Sequence, residues 1–454
     1  MSRLASRALA FVLLLGLWLA ASGAYALEIQ QVTSPGGIQA WLVEDRTNPI
    51  LTVRFSFRGG ESADPIGKEG RARLVAGLLD EGAGELDSTA FQKTLTDQSI
   101  TLRFNSRIDR FAGQLVTLTE TREEALRLLR LALTEPRFDA EPVERIRSQV
   151  LASLRRDLTQ PRTKASRAWW AANFPDHPYG RSGDGTPASV TAVTVEDLRT
   201  FVAAALARDG LVVSVVGDID ADTLGRALDR VFGALPETGS LPSPSDTAPA
   251  LLGETLVIEE AVPQSVVMFG HGGIDRMDPD WYAASLLNEV MAGGFGSRLT
   301  TEIREKRGLV YSVYAYLLPL DYAPLIMGGL ATQNARVGQS VDLVRQEWRR
   351  MAADGPTAKE LADARTYLLG SFPLRLTDSG GVASVLMALQ ENDLPASYLE
   401  QRQSLYEAVS LEDAKRVAKR LYRPDALSIV VVGQPEGVTA TRPVPTLDGI
   451  NQGG

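Results

Sequence analysis

Residues 293–317 read GGFGSRLTTEIREKRGLVYSVYAYL, which divides into a Gly-rich turn, a short helix, a Gly stop and a strand. Gly293, Gly294 and Gly296 surround Phe295 and leave the backbone free for positive φ and for close approach to another surface. Ser297 is a suitable N-cap, Leu299 and Ile303 share one helical face, and Gly308 suits the C′ position. Beyond Gly308 the period becomes two. Leu309, Tyr311, Val313, Ala315 and Leu317 fall on one face, and Val310, Ser312, Tyr314 and Tyr316 on the other. Arg304 lies in the last helical turn and Tyr311 follows seven residues later. A helix that stops at Gly308 and turns back brings a guanidinium and a phenol to one place. Those two donors suit a carbonyl oxygen and the oxyanion formed from it. A cation at a helix C-terminus and a half-buried strand aromatic account for the same residues, and the stretch by itself leaves both accounts open.

The 454 residues, 44% hydrophobic and 23% charged, fit a soluble protein of two or more domains. Arg3 and Arg7 precede an apolar run from Ala8 to Ala21, and Ala24-Tyr25-Ala26 forms an A-x-A cleavage signal. A cleaved signal peptide over residues 1–26 is therefore expected, with export to the periplasm and no membrane association after cleavage, a retained N-terminal anchor being the alternative. There is no cysteine, so disulfides and thiolate metal sites are unavailable. Net charge is −9, and loss of Arg3 and Arg7 with the leader takes it to −11, a poor match for nucleic acid. His177 and His271 are the two histidines, far apart in sequence. A catalytic zinc site usually needs three protein ligands, so an independent one is not expected here. A structural hydrogen-bonding role is expected for both. His271, after a strand in FGHGG, is also placed with Gly294 and Phe295 among the candidate substrate contacts.

The two halves repeat. Thr194-Val-Glu-Asp opens a helix that leads to the strand Leu211–Val216 and Gly217; Ser410-Leu-Glu-Asp opens one that leads to Leu427–Val432 and Gly433. The offset is 216 at both ends (410 minus 194, 433 minus 217). Residues 235–252 are rich in Pro, Ser and Gly and read as a linker between halves 27–234 and 253–438, with a flexible tail at 439–454. Strands and helices alternate too irregularly for a doubly wound parallel sheet. The fold class is α+β: two homologous α/β halves, each with mixed or antiparallel sheets flanked by helices. Ser265–Gly270 is a candidate for pairing with an extended substrate, an internal strand being the plainer account. Asp378-Ser379-Gly380-Gly381 reads as a helix cap.

The run SRLTTEIREKRGLVYSV at 297–313 resembles the C-terminal-half signature of the insulinase/pitrilysin family, metallopeptidases with an inverted H-x-x-E-H zinc motif. DHPYGR at 176–181 is similar to the same family. The resemblance implies a clam-shell arrangement, with Arg304 and Tyr311 binding substrate and stabilising the transition state. Phe295 then lines the substrate chamber or a subunit interface, or simply packs. Aligned on Gly70 and Ala72, the two zinc histidines fall on Arg73 and Gly77, the general base on Ala76, and the third ligand on Ser153. No metal is expected in this chain. The resemblance implies a heterodimer in which a homologous H-x-x-E-H subunit holds the zinc and this chain supplies Arg304 and Tyr311 to a peptide substrate. A catalytically inactive scaffold or a peptide-binding homologue is the alternative.

Overall fold

The computed structural model describes residues 27–447; the predicted signal peptide and residues 448–454 of the predicted tail lie outside them. The first sheet contains β1 (Gln30–Thr33), β2 (Gln39–Glu44), β3 (Ile50–Arg58), β4 (Thr101–Ser106), β5 (Arg110–Leu118) and β6 (Val212–Gly217), in the order β1-β2-β6-β3-β5-β4. The second contains β7 (Thr255–Glu259), β8 (Gln264–Gly272), β9 (Val310–Pro319), β10 (Pro324–Gln333) and β11 (Ser428–Gly433), in the order β7-β11-β8-β10-β9. Without β1 the two orders match strand for strand. β2 with β6 and β7 with β11 are the parallel pairs, and the others are antiparallel. The sheets are mixed, as predicted.

The repeat extends to local chemistry. Helices Val195–Ala205 and Leu411–Leu421 both open with a capping box, Thr194 with Asp197 and Ser410 with Asp413. They lead to β6 and β11, which end on Gly217 and Gly433 with φ of 138° and 147°. A Cβ at Gly217 would lie 2.1 Å from the Ile50 carbonyl oxygen, and one at Gly433 would lie 2.2 Å from the Ser265 hydroxyl. The same backbone crossing therefore demands glycine twice.

Each sheet buries one face under helices of its own half. Phe55, Phe57, Phe111, Phe201 and Phe232 fill the first core; Phe269, Trp348 and Tyr422 fill the second. The opposite faces are covered by exchange, which the sequence reading did not find. Helix Pro161–Asn173 leaves the first half and packs on β8 and β11 through Ala165, Ala168 and Trp169. A Cβ at Gly270 would come within 3.1 Å of the Trp169 ring. In return, helix Ser379–Glu391 of the second half lays Val382, Ala383 and Leu386 against Val43 and Val216 of the first sheet. Gln390 donates to the Ser214 hydroxyl at 2.8 Å, and Asp378 caps this helix by accepting from the Gly381 N–H.

Residues 235–252 contain no regular structure but are fastened down. The Thr247 N–H donates to the Tyr322 carbonyl, the Ala250 N–H to the Asn173 carbonyl, and Leu251 is fully buried. The described part of the predicted flexible tail, 439–447, is also docked. Thr441 exchanges bonds with Thr255 on the outer edge of β7, donating its N–H at 2.8 Å and accepting at its hydroxyl at 2.8 Å. Leu447 joins the apolar cluster around Trp169. An unpaired strand edge and an apolar anchor hold a segment whose composition reads as loose. Among the described residues no helix is long and apolar enough to cross a membrane.

Candidate functional site

The segment after Gly296 forms a wide π-type turn at Thr300–Glu305 rather than the α-helix expected. The Ser297 hydroxyl does not cap it and instead donates to the Gly294 carbonyl at 2.7 Å. Leu299 and Ile303 are fully buried, as their spacing requires. Gly308 takes φ 59°, and the Leu309 N–H returns to the Ile303 carbonyl, which closes the turn. Gly293, Gly294 and Gly296 have no positive φ. A Cβ at Gly294 or Gly296 would meet nothing within 4 Å, so the loop around Phe295 is open, whereas one at Gly293 would strike the Glu289 carboxylate.

β9 is the outermost strand of its sheet. Val313 pairs with Leu330 and Val310 with Thr332, so Tyr311 and Ser312 together face Ala331 alone. This bulge reverses the side-chain parity. Val310 and Val313 are both buried, and Tyr311 is 85% exposed. Tyr311 thus lies opposite to Val313 and Ala315, which corrects the expected alternation. The bulge brings Tyr311 and Arg304 together: the Arg304 guanidinium carbon stands 5.5 Å from the Tyr311 ring centre and 5.1 Å from that of Phe295. Phe295 is itself 76% exposed. Two aromatic rings hold the cation in place, and its charged neighbour is Glu305 at 3.4 Å, adjacent in the chain. A fixed cation and a phenol on an open surface can bind a carbonyl or an oxyanion. Neither can activate water.

The zinc-ligand positions lie in the first half. Arg73, on the short helix Arg71–Ala76, bonds Asp184 at 2.8 Å and reaches to 3.5 Å from the Ser153 hydroxyl. Ser153 itself donates to Asp157 at 3.0 Å. The contact between Arg73 and Ser153 shows that two aligned ligand positions do converge in space. A guanidinium repels a divalent cation, and Gly77 and Ala76 bring no donor side chain. A Cβ at Gly77 would already stand 3.0 Å from Ile146. Among the described residues no three His, Cys, Asp or Glu side chains gather to hold a metal. These residues do not fit zinc.

The Peptidase M16 inactive domain family model matches residues 192–368. A non-peptidase homolog, YmxG, of Helicobacter pylori is 30% identical over 333 residues, covering 73% of this chain and 77% of that protein. The chain belongs to the peptidase M16 family. An uncharacterized zinc protease of Mycobacterium leprae is 27% identical over 365 residues, 76% of this chain and 82% of the other. The crystal structure of the peptidase M16 inactive domain from Pseudomonas fluorescens superimposes with a TM-score of 0.83 at 30% identity, covering 92% of this chain and all of that one. Arg73, Ala76, Gly77 and Ser153 agree with an inactive, non-peptidase M16 homologue.

The remaining candidates in this M16 homologue separate clearly. His271 is 1% exposed; its Nδ1–H donates to the Gly272 carbonyl at 2.8 Å and its Nε2 accepts from the Trp348 indole at 3.0 Å. Burial holds its pKa down at about 4. Both nitrogens are used inside the core, so His271 is not a substrate contact, and the structural role is the correct one. His177 accepts from the Tyr179 N–H and donates to the Ser245 carbonyl, which ties the linker down. β8 lies between β11 and β10 and has no free edge, so Ser265–Gly270 cannot pair with a substrate strand. Sequence reasoning missed Arg298. It is 6% exposed, donates twice to Glu360 at 2.7 and 2.8 Å and once to the Gly355 carbonyl, and pins the loop that carries Phe295. Burial raises the Glu360 carboxyl, but the hydrogen bonds from Arg298 and Thr357 outweigh it and hold the pKa at about 2. An arginine between Ser297 and Leu299 was visible; its partner 62 residues on was not.

Proposed function

We propose that this chain is the non-zinc subunit of a two-subunit M16 peptidase and lends Arg304 and Tyr311 to the active site of a homologous partner. The observation that carries the proposal is that a half-buried Arg304 and the exposed Tyr311 and Phe295 form one surface cluster in which the guanidinium makes no hydrogen bond among the described residues. The partner would carry the H-x-x-E-H motif, the zinc and the activated water. Arg304 would give charge-assisted hydrogen bonds to the peptide, and the Tyr311 hydroxyl would donate to the oxyanion of the tetrahedral intermediate. Phe295, with Gly294 beside it, would border the bound peptide. Both subunits would meet in the periplasm, to which the predicted leader sends this chain.

The test is peptidase activity of the mature chain alone, of an H-x-x-E-H homologue from the same organism, and of the mixture, with zinc measured in each. Activity that needs both, with zinc in the homologue, supports the proposal. Equal cleavage without this chain would make it a scaffold or a peptide-binding homologue instead.

A further inference from the structure

Helix Pro161–Asn173 has a second face. While Ala165, Ala168 and Trp169 press on the second sheet, Ser166, Arg167 and Trp170 turn along the helix away from that contact, and Arg162 sits at the helix start beside Tyr314 of β9. They line a cavity of about 900 Å³, closed on its other sides by the loops around Ile66 and Arg181 and by Leu447. That volume suits a ligand of several residues. One wall is rigid and aromatic, because Trp170 stacks on Phe174 at 5.5 Å and meets Tyr179 edge-on at 6.2 Å.

The charges around the cavity are unevenly matched. Asp184 is paired with Arg73 and Glu69 with Arg181. Glu61 accepts from the Ser106 hydroxyl at 3.0 Å, and burial pushes its carboxyl pKa up. Arg167 gives one hydrogen bond, to the Gly185 carbonyl at 2.9 Å, and has no ion pair among the described residues. Arg162 likewise has no carboxylate partner there; its guanidinium lies 5.8 Å from the Tyr314 ring centre. Tyr314 stands on β9, three residues beyond Tyr311, so the cavity mouth adjoins the exposed strand at a distance of roughly 10 Å along it. Arg162 is exposed at the mouth, whereas Arg167 is half-buried inside it with donors left over, and a guanidinium with free donors in a partly desolvated cavity is best satisfied by a planar carboxylate.

We infer that this cavity binds the free C-terminal carboxylate of a peptide, held by Arg167, with the last apolar side chain against Trp170 and the exposed Arg162 adding positive charge at the mouth. The acidic groups on the rim disfavour a dianion, so a single carboxylate on an apolar body is the expected class rather than phosphate. The site stands apart from the Arg304 and Tyr311 proposal and needs no partner subunit.

The experiment uses the mature chain alone. The tripeptide Ala-Ala-Phe is titrated as free acid and as C-terminal amide, read by calorimetry and by tryptophan fluorescence. The acid is expected to bind at least about tenfold more tightly, as a charge-assisted hydrogen bond should produce. Arg167→Gln and, separately, Arg162→Gln should shrink that ratio, Arg167→Lys should restore part of it, and Arg304→Ala should leave it unchanged. Equal binding of acid and amide by the unaltered chain would overturn the inference without reference to any variant. So would a full ratio in folded Arg167→Gln, or displacement of the acid by inorganic phosphate more readily than by acetate. None of these outcomes bears on whether Arg304 and Tyr311 serve a partner.

Discussion

In the first half, Arg73 turns inward to Asp184 and Ser153 and fills the place where a metal would need donors. In the second half, Arg304 lies against two exposed aromatic rings and leaves its donors available. Both arginines sit in halves of one topology, each within a short helical turn. What separates them is the neighbourhood. Arg73 is neutralised by a carboxylate from a distant loop, whereas Arg304, with the adjacent Glu305 at 3.4 Å, is held chiefly by π faces, which fix a cation without using up its hydrogen-bonding capacity. One plan, copied, thus produces a closed position and an open one.

The exchanged helices, which hold the two halves in register, are where a substitution should do most damage. Trp169→Ala removes a fully buried ring that covers the second sheet, although it belongs to the first half; a loss of about 4 kcal/mol is expected. The reciprocal Leu386→Ala should cost about 3 kcal/mol. Both are read by chemical denaturation. If either variant melts one half while the other stays folded, the halves are not mutually supported.

At the open position, Arg304→Ala or Tyr311→Phe should lower turnover of the mixed peptidase by about 10²–10³-fold with folding intact. The control is Arg73→Gln, which should change turnover by much less. Silence of both second-half substitutions would place the two arginines on the same structural footing.

The two histidines offer a pH test. His271 has a native pKa near 4 against an ordinary value of 6.5. Between those values the unfolded chain binds more protons than the native one, so stability is complete above about pH 6.5 and falls as pH drops through the window. A loss of about 2 kcal/mol by pH 5 is expected. His271→Gln should remove that slope relative to the parent chain, and His177→Gln should leave most of it. The smallest effect belongs to the loop: Gly294→Ala, with open space and no positive φ, should change stability by less than about 1 kcal/mol.

The Arg304–Tyr311 encounter was legible in the sequence because Gly308 turns the chain locally and the spacing is short. The exposure of Tyr311 was not, since one extra residue in β9 inverts the parity on which alternation depends. The duplicated halves were legible from paired caps and paired glycines. The exchange of helices was not, because an apolar face does not state which sheet it will cover. Thr439–Leu447 read as loose from composition, yet an unpaired edge on β7 captured it. His271 was misplaced for the opposite reason: sequence shows a polar residue and not the buried indole waiting to donate to it.

The exchanged helices also make the protein entwined. Each half clasps the other's sheet, so the covalent linker is not what keeps the halves together. A single proteolytic nick at the exposed Pro242–Ser243 bond should leave two fragments that co-purify and separate only on unfolding. The same property makes the chain a natural subject for split-protein complementation, in which neither fragment is complete until it has received the helix carried by the other.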